Sequence, residues 1–310
     1  MLYSGGTILS IIEVPAAILQ MNTIFISILI EALPFVLIGV FIAGIIQIFV
    51  TESHIKRCLP KNRYLAIVSS CFIGACFPAC ECGIVPIVRR LLGKGVPIYA
   101  GIGFMLTGPL INPMVILSTY MAFGNNLNMA ISRMIIGFVL ALMIAFIVSC
   151  FFRSNHLKIP AHFGQEHHDG HGHHSLMYKL KDTVMHAIDE FFDIGKFLIV
   201  GALLAAFVQT FLSAEVLIDL GGGTASSTAV MMALAYLLSL CSEADAFIGV
   251  SFQHLFPPAA ILSFLIYGPM LDLKNTMMML SVFKARFVFV LLIVITVVVY
   301  GGMIIIQTLA

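Results

Sequence analysis

Apolar residues run along this chain in long blocks of about twenty, interrupted by short polar stretches. Residues 7–20 are apolar but carry Glu13 and Pro15, which predicts an interfacial helix ahead of the first span. Residues 23–50 are long enough to cross roughly 30 Å of hydrocarbon with some tilt. After a polar loop, the block 65–88 is apolar but broken, and further spans are predicted at 96–121 and 130–152. Residues 153–182 are polar. An amphipathic lead-in helix follows over 183–196, then spans at 197–214, 225–242, 246–268 and 287–309.

Composition makes this a membrane reading. The 310 residues are 60% apolar and only 10% charged, against about 25% charged in an ordinary soluble domain. The start of the chain has no basic n-region, so no cleavable signal peptide is expected. A net charge of +1 without a basic cluster leaves no case for nucleic acid as a partner. Seven cysteines, mostly in apolar segments, do not read as a disulfide framework.

The two halves resemble each other. Phe35 to Gly39, continuing to Gln47, pairs with Phe197 to Gly201, continuing to Gln209. Phe104 to Pro109 pairs with Phe264 to Pro269, and Cys80-Glu81-Cys82 faces Cys241-Ser242-Glu243-Ala244-Asp245 at nearly the same offset. The expected organisation is an N-terminal interfacial segment at 1–22, membrane repeat 1 at 23–152, a cytoplasmic His-rich loop at 153–182 and membrane repeat 2 at 183–310.

All sixteen Lys and Arg fall in 56–63, 89–94, 133, 153–196 and 274–286. The positive-inside tendency sends both ends of 65–88 to the cytoplasm. That makes the block a re-entrant hairpin with its tip at the cysteine motif. The mirror image in repeat 2 dips in from outside around Cys241 and returns to a cytoplasmic Lys274, Lys284 and Arg286. The expected fold is therefore an all-α polytopic membrane protein of two inverted repeats with broken or re-entrant helices, both chain ends outside. Arg133 alone sits awkwardly in this scheme. Eight full transmembrane helices with parallel halves is the alternative, which puts Arg89, Arg90 and Lys94 outside.

Candidate chemistry gathers at the breaks. Cys71, Cys76, Pro78, Cys80, Glu81, Cys82, Gly83 and Pro86 crowd into sixteen residues, a composition no simple spanning helix needs. Cys76, Cys80 and Cys82 offer soft thiolate ligands for thiophilic solutes. The spacing is not that of a zinc knuckle or a C-x-x-C redox pair. Glu81, Glu243 and Asp245 are acidic residues at bilayer depth, where such groups mark pathways and proton relays. The expected helix breaks are Pro78, Gly83, Gly108, Pro109, Pro113, Gly268 and Pro269. Asn112, between two of these prolines, either lines the site or closes the break. The run His167, His168, His171, His173 and His174 is a compositional metal-binding tract or a tolerated linker.

The pattern from Cys71 through Cys76, Cys80-Glu81-Cys82, Arg89, Lys94 and Pro97, continuing into Phe104, Pro109, Asn112-Pro113 and Ser118-Thr119, resembles the bacterial UPF0718 (DUF318) permease family. The resemblance spans essentially the whole chain and implies a polytopic inner-membrane permease. In its characterised branch, which exports trivalent organoarsenicals, motif thiols handle the substrate, pointing here to Cys76, Cys80 and Cys82. Some Gram-positive relatives work with a second small membrane protein. The His-rich insert is not part of the shared pattern.

No Walker A sequence is present. The expected activity is secondary, proton-coupled export of a small thiophilic solute, with no enzymatic step and no cofactor; a homo-oligomer is compatible with it. The competing readings are a membrane thiol-redox or electron-transfer subunit, with His254 the one histidine near bilayer depth, and a non-transporting component of a membrane complex.

Overall fold

A computed structural model describes residues 16–51, 55, 59–60, 62–77, 80–152, 176–211 and 223–309. Among these residues the secondary structure comprises twelve helices, six in each half. The first six are α1 (Ala16–Phe49), α2 (Arg63–Ala75), α3 (Glu81–Gly93), α4 (Ile98–Ile111), α5 (Pro113–Ala122) and α6 (Leu127–Phe151). The second six are α7 (Leu176–Phe211), α8 (Thr224–Leu238), α9 (Ala244–Ser251), α10 (Pro258–Met270), α11 (Leu273–Val282) and α12 (Ala285–Leu309).

Sequence decides which helices are inner and which outer. α4 and α10 are apolar all round, and nearly every residue of both is buried, so they form the centre. α1, α6, α7 and α12 are long and apolar but turn much of their surface outward, as lipid-facing spans do. The lead-in helix expected at 183–196 and the span at 197–214 are one continuous helix, α7, because no breaker separates them. α1 likewise starts at Ala16, ahead of the expected boundary at residue 23, and passes Pro34 without breaking.

Close approaches at glycine fix the direction of each short helix. A Cβ on Gly103 would lie 2.8 Å from Cys71 Sγ, and one on Gly74 would strike Thr107, so α2 and α4 rise together. A Cβ on Gly101 would lie 2.8 Å from Leu92, whereas Gly108 abuts Ile84, so α3 runs against α4. α2 and α3 are therefore antiparallel, a re-entrant hairpin. Thirteen residues give each arm about 20 Å, short of a roughly 30 Å hydrocarbon core. Both its ends lie on one face. Arg63 donates to Ser149 O (3.2 Å) at the C-terminus of α6, and Lys94 Nζ donates to Gln47 O (2.7 Å) near that of α1.

The second half repeats the construction. Ser263 Oγ donates to Thr228 O (3.4 Å), while Ala235 sits beside Gly268, so α8 parallels α10. Asp245 faces Gly268 and Leu265 faces Gly249, so α9 opposes α10. Gly108 with Ile84 and Gly74 corresponds to Gly268 with Asp245 and Ala235 at offsets of 160 or 161 residues.

The repeats are inverted. Phe152 at the C-terminal end of α6 meets Phe287 at the N-terminal end of α12, ring centroids 4.8 Å apart, so these equivalent spans run antiparallel. α1 and α7 do the same: Ile28 packs with Ala202 and Ala205, whereas Glu190 lies at the Arg89 end of α3, beside the later turns of α1. The two hairpins thus enter from opposite faces. Arg63, Arg89, Arg90, Lys94, Lys284 and Arg286 share one face, the one positive charge assigns to the cytoplasm. There Glu190 of α7 takes Arg89 Nη1 (2.8 Å) and Arg90, tying the repeats together.

Small residues provide the closest packing, as helix association in lipid requires. A Cβ on Gly39 would collide with the Gly83 backbone, and one on Gly83 would lie 2.7 Å from Phe35 O, so α1 and α3 touch backbone to backbone.

Candidate functional site

The inverted hairpins put their tips together at mid-depth. In the first, α2 ends with Cys76 as its C-cap, and Cys80, extended at φ −78°, ψ 170°, caps the start of α3. In the second, α8 stops at Ser239, which adopts φ 46°, ψ 44°, an uncommon conformation for a residue other than glycine. That turn is held by α11: Leu273 N donates to Ser239 Oγ (3.2 Å) and Lys274 Nζ to Ser239 O (3.4 Å).

Between the tips lies a charged centre. Lys274 Nζ is 3.3 Å from Glu81 Oε1 and 3.8 Å from Asp272 Oδ2. Ser242 Oγ donates to Glu81 Oε2 (3.2 Å), joining the two tips directly. Arg133 of α6 donates to Ser242 O (3.2 Å) and to Thr119 Oγ1 (2.7 Å). Glu81, Arg133, Asp245, Asp272 and Lys274 are each at most 2% exposed. Charge this deep in an apolar protein persists only when paired and hydrogen-bonded, and in membrane proteins it marks function.

The expected site residues separate into groups. Cys80 and Cys82 are buried, their thiols close enough to interact with each other and with Lys274. The extended backbone at Cys80 brings this about, since two helical residues at i and i+2 would face apart. Cys76 is exposed at the end of the other arm, one residue past the end of α2. Cys71 is buried against Gly103. Cys241 accepts from Ala244 N (3.4 Å) and lies beside Glu31 of α1. Glu243 is half-buried near Glu81, and Asp245 interacts electrostatically with Arg133.

Asn112 caps α5, accepting from Met114 N (2.7 Å) and Val115 N (3.0 Å), so its amide oxygen closes the break. The breaks themselves sit elsewhere than expected. Gly83 lies inside α3, just past the non-helical Cys80; Gly108, Pro109, Gly268 and Pro269 also lie inside helices, and the chain departs from helical geometry a few residues after them, at Asn112 and at Leu271–Asp272. The glycines serve close packing instead. Pro113 does mark a break, at the first position of α5. Pro78 and the tract from His167 to His174 fall outside the described residues. Among the described residues no three His, Cys, Asp or Glu are grouped to hold a metal.

Lys274 corrects the sequence reading most. Expected in the cytoplasm, it is buried at the centre, because α10 and α11 are halves of one broken helix and residue 274 lies just past the break. Arg133 and Asp272 were also missed as site residues. The repeat carried the signal: an offset of 160 places Asp272 on Asn112 and Lys274 on Met114, both inside a span.

A family model described as a predicted permease (ArsP_1) matches residues 17–307. The "UPF0718 protein YcgR" of Bacillus subtilis (strain 168) is 50% identical over 292 residues, covering 94% of this chain and 98% of the relative. A Streptococcus mutans serotype c protein (strain ATCC 700610 / UA159), named "Putative two-component membrane permease complex subunit", is 42% identical over 280 residues, 89% of this chain and 91% of the relative. No solved structure matches the chain.

Proposed function

The chain belongs to the UPF0718 (DUF318) permease family and is a multi-pass membrane permease, and from that premise we propose that it exports a small thiophilic solute between the two hairpin tips, with proton exchange at the buried carboxylates. The observation that supports this reading is the juxtaposition of the Cys80 and Cys82 thiols with the Glu81–Lys274 pair at the meeting point of two inverted hairpins. Inverted repeats with discontinuous helices hold the substrate site at the repeat interface in many secondary transporters.

Two adjacent thiols suit a trivalent organoarsenical. Methylarsenite carries two hydroxyls on arsenic, and each can exchange with one thiol. Two As–O bonds and two S–H bonds break, two As–S bonds form, and two waters leave. The exchange is reversible, and the solute is released by the reverse steps on the other side. Glu81, Glu243 and Asp245 would carry the proton that couples the cycle. The relative named as a two-component complex subunit supports a second small membrane protein as partner here.

The test is transport in proteoliposomes. Trivalent methylarsenite is compared with inorganic arsenite and zinc, for wild type and for Cys76→Ser, Cys80→Ser and Cys82→Ser. Methylarsenite transport is expected to fall about tenfold or more in the two buried-thiol variants, about 1.4 kcal/mol in transition-state terms, and less in Cys76→Ser. Unchanged transport in both Cys80→Ser and Cys82→Ser would overturn the thiol site.

A further inference from the structure

The break between α10 and α11 contains more acceptor oxygen than the protein uses. Asp272 Oδ2, Asn275 Oδ1 and Asp245 Oδ2 are all buried without a hydrogen-bond partner among the described residues. The three residues are each at most 2% exposed. Asp272 directs its other oxygen to the backbone N–H of Asn275, so both side chains sit on the first turn of α11. Asp245 Oδ2 faces Gly268 on the last turn of α10, where an added Cβ would lie 2.8 Å away.

Lys274 does not use up this capacity. Its ammonium donates to Glu81 Oε1 at 3.3 Å and to Ser239 O at 3.4 Å, which leaves Asp272 Oδ2 at 3.8 Å, beyond hydrogen-bond reach. Nor would the charges balance with every acid ionised. Glu81, Asp245 and Asp272 are buried carboxyl groups at this centre, against Arg133 and Lys274 as buried cations, and Glu31 and Glu243 are two further, half-buried acids. Uncompensated charge at bilayer depth is costly enough that something must neutralise it.

The first repeat provides an internal control. Its equivalent break is capped by Asn112, and Asn caps a helix as well as Asp does. Val115 and Ile84 stand where repeat 2 has Asn275 and Asp245. Capping therefore does not explain the carboxylate at Asp272. The C-terminal end of α10 adds the negative pole of a helix and carbonyls without intrahelical partners, the setting in which broken transporter helices hold cations.

We infer that the α10–α11 break binds a hard monovalent cation, Na⁺ by its chemistry, through Asp272 Oδ2 and Asn275 Oδ1, with Asp245 as the facing charge. Oxygen-only ligands select hard cations, and so few spare side-chain oxygens suit a single charge better than the six to eight ligands of Ca²⁺. This inference rests on the permease reading for its role, since a cation bound beside Lys274 and Glu81 is placed to couple to the solute. Its existence does not depend on which solute is carried.

The experiment measures ²²Na⁺ binding to the purified full chain near neutral pH, without solute. Saturable binding is expected in wild type. Asp272→Asn, which keeps the cap as its twin Asn112 does, is expected to weaken it about tenfold or more (about 1.4 kcal/mol). Asn275→Ala is expected to weaken it too, so the proposal does not hang on one variant folding. No saturable binding in wild type, or binding in Asp272→Asn equal to wild type, would overturn the inference. So would thermal stabilisation that follows protons and ignores Na⁺. Methylarsenite transport without Na⁺ binding refutes the cation site alone. Na⁺ binding without methylarsenite transport upholds the cation site and refutes the solute assignment.

Discussion

Replacing Lys274 by Met isolates the pair at the heart of the site. Lys274 Nζ lies 3.3 Å from Glu81 Oε1, with side-chain exposures of 2% and 1%. Met fills the stem volume but removes the charge, leaving Glu81 with the Ser242 hydroxyl, at 3.2 Å, as a hydrogen-bond donor. Removing one partner of a buried ion pair costs about 3–5 kcal/mol. The double variant Glu81→Gln/Lys274→Met removes both charges and should recover most of the loss, giving a coupling energy of about 2 kcal/mol or more. The assay is equilibrium unfolding of the purified chain in mixed micelles for wild type, both single variants and the double. A Lys274→Met penalty below about 1 kcal/mol, or a double variant as unstable as the worse single, would refute the pairing.

Two further outcomes test the fold around this pair. Gly39→Leu places a side chain against the Gly83 backbone, which cannot yield, and should cost about 3 kcal/mol or more and most of the folded yield. Gly201→Ala is the contrast: its Cβ would lie 3.2 Å from Lys274 and Met277, a contact relieved by a shift of tenths of an ångström, so monodisperse protein should survive on size-exclusion chromatography. The hairpin itself is tested with Arg63→Cys and Lys94→Cys, labelled by an impermeant maleimide in vesicles of known orientation. Both should react from the cytoplasmic side, and labelling from opposite sides would refute a re-entrant α2–α3.

The hairpins and the inversion were legible because they rest on features a sequence displays openly: cations flanking an apolar block, and landmarks repeated at a constant offset. The identity of the charged centre was less legible. Lys274 looked like a cytoplasmic residue and Arg133 had no evident place, because their partners, Glu81 and Ser242, lie 193 and 109 residues away. Hydropathy sees a lysine after a Gly-Pro pair and ends the span there, whereas the chain restarts as α11 with Asp272 as its cap. The thiols divided for a similar reason. Helical spacing groups Cys76 with Cys80, but α2 ends at Ala75, and an extended Cys80 meets Cys82 instead.

The two tips are held by equivalent means from non-equivalent positions. Lys274, from α11 of the second repeat, grips Glu81 on the first hairpin. If the duplication had copied that contact, Met114 on α5 would carry the matching cation, and it cannot. Arg133 on α6 takes the role instead, reaching Ser242 O on the second hairpin while Thr119 of α5 orients it. Each repeat therefore supplies the cation that holds the other repeat's hairpin. Inheritance from a common ancestor would have produced matched residues, so the cross-clamp reflects a requirement on the assembled pair. Rocking one repeat against the other has to break or carry both contacts. Where a cation has just been bound or released beside Asp272, the strength of the Lys274 grip changes with it.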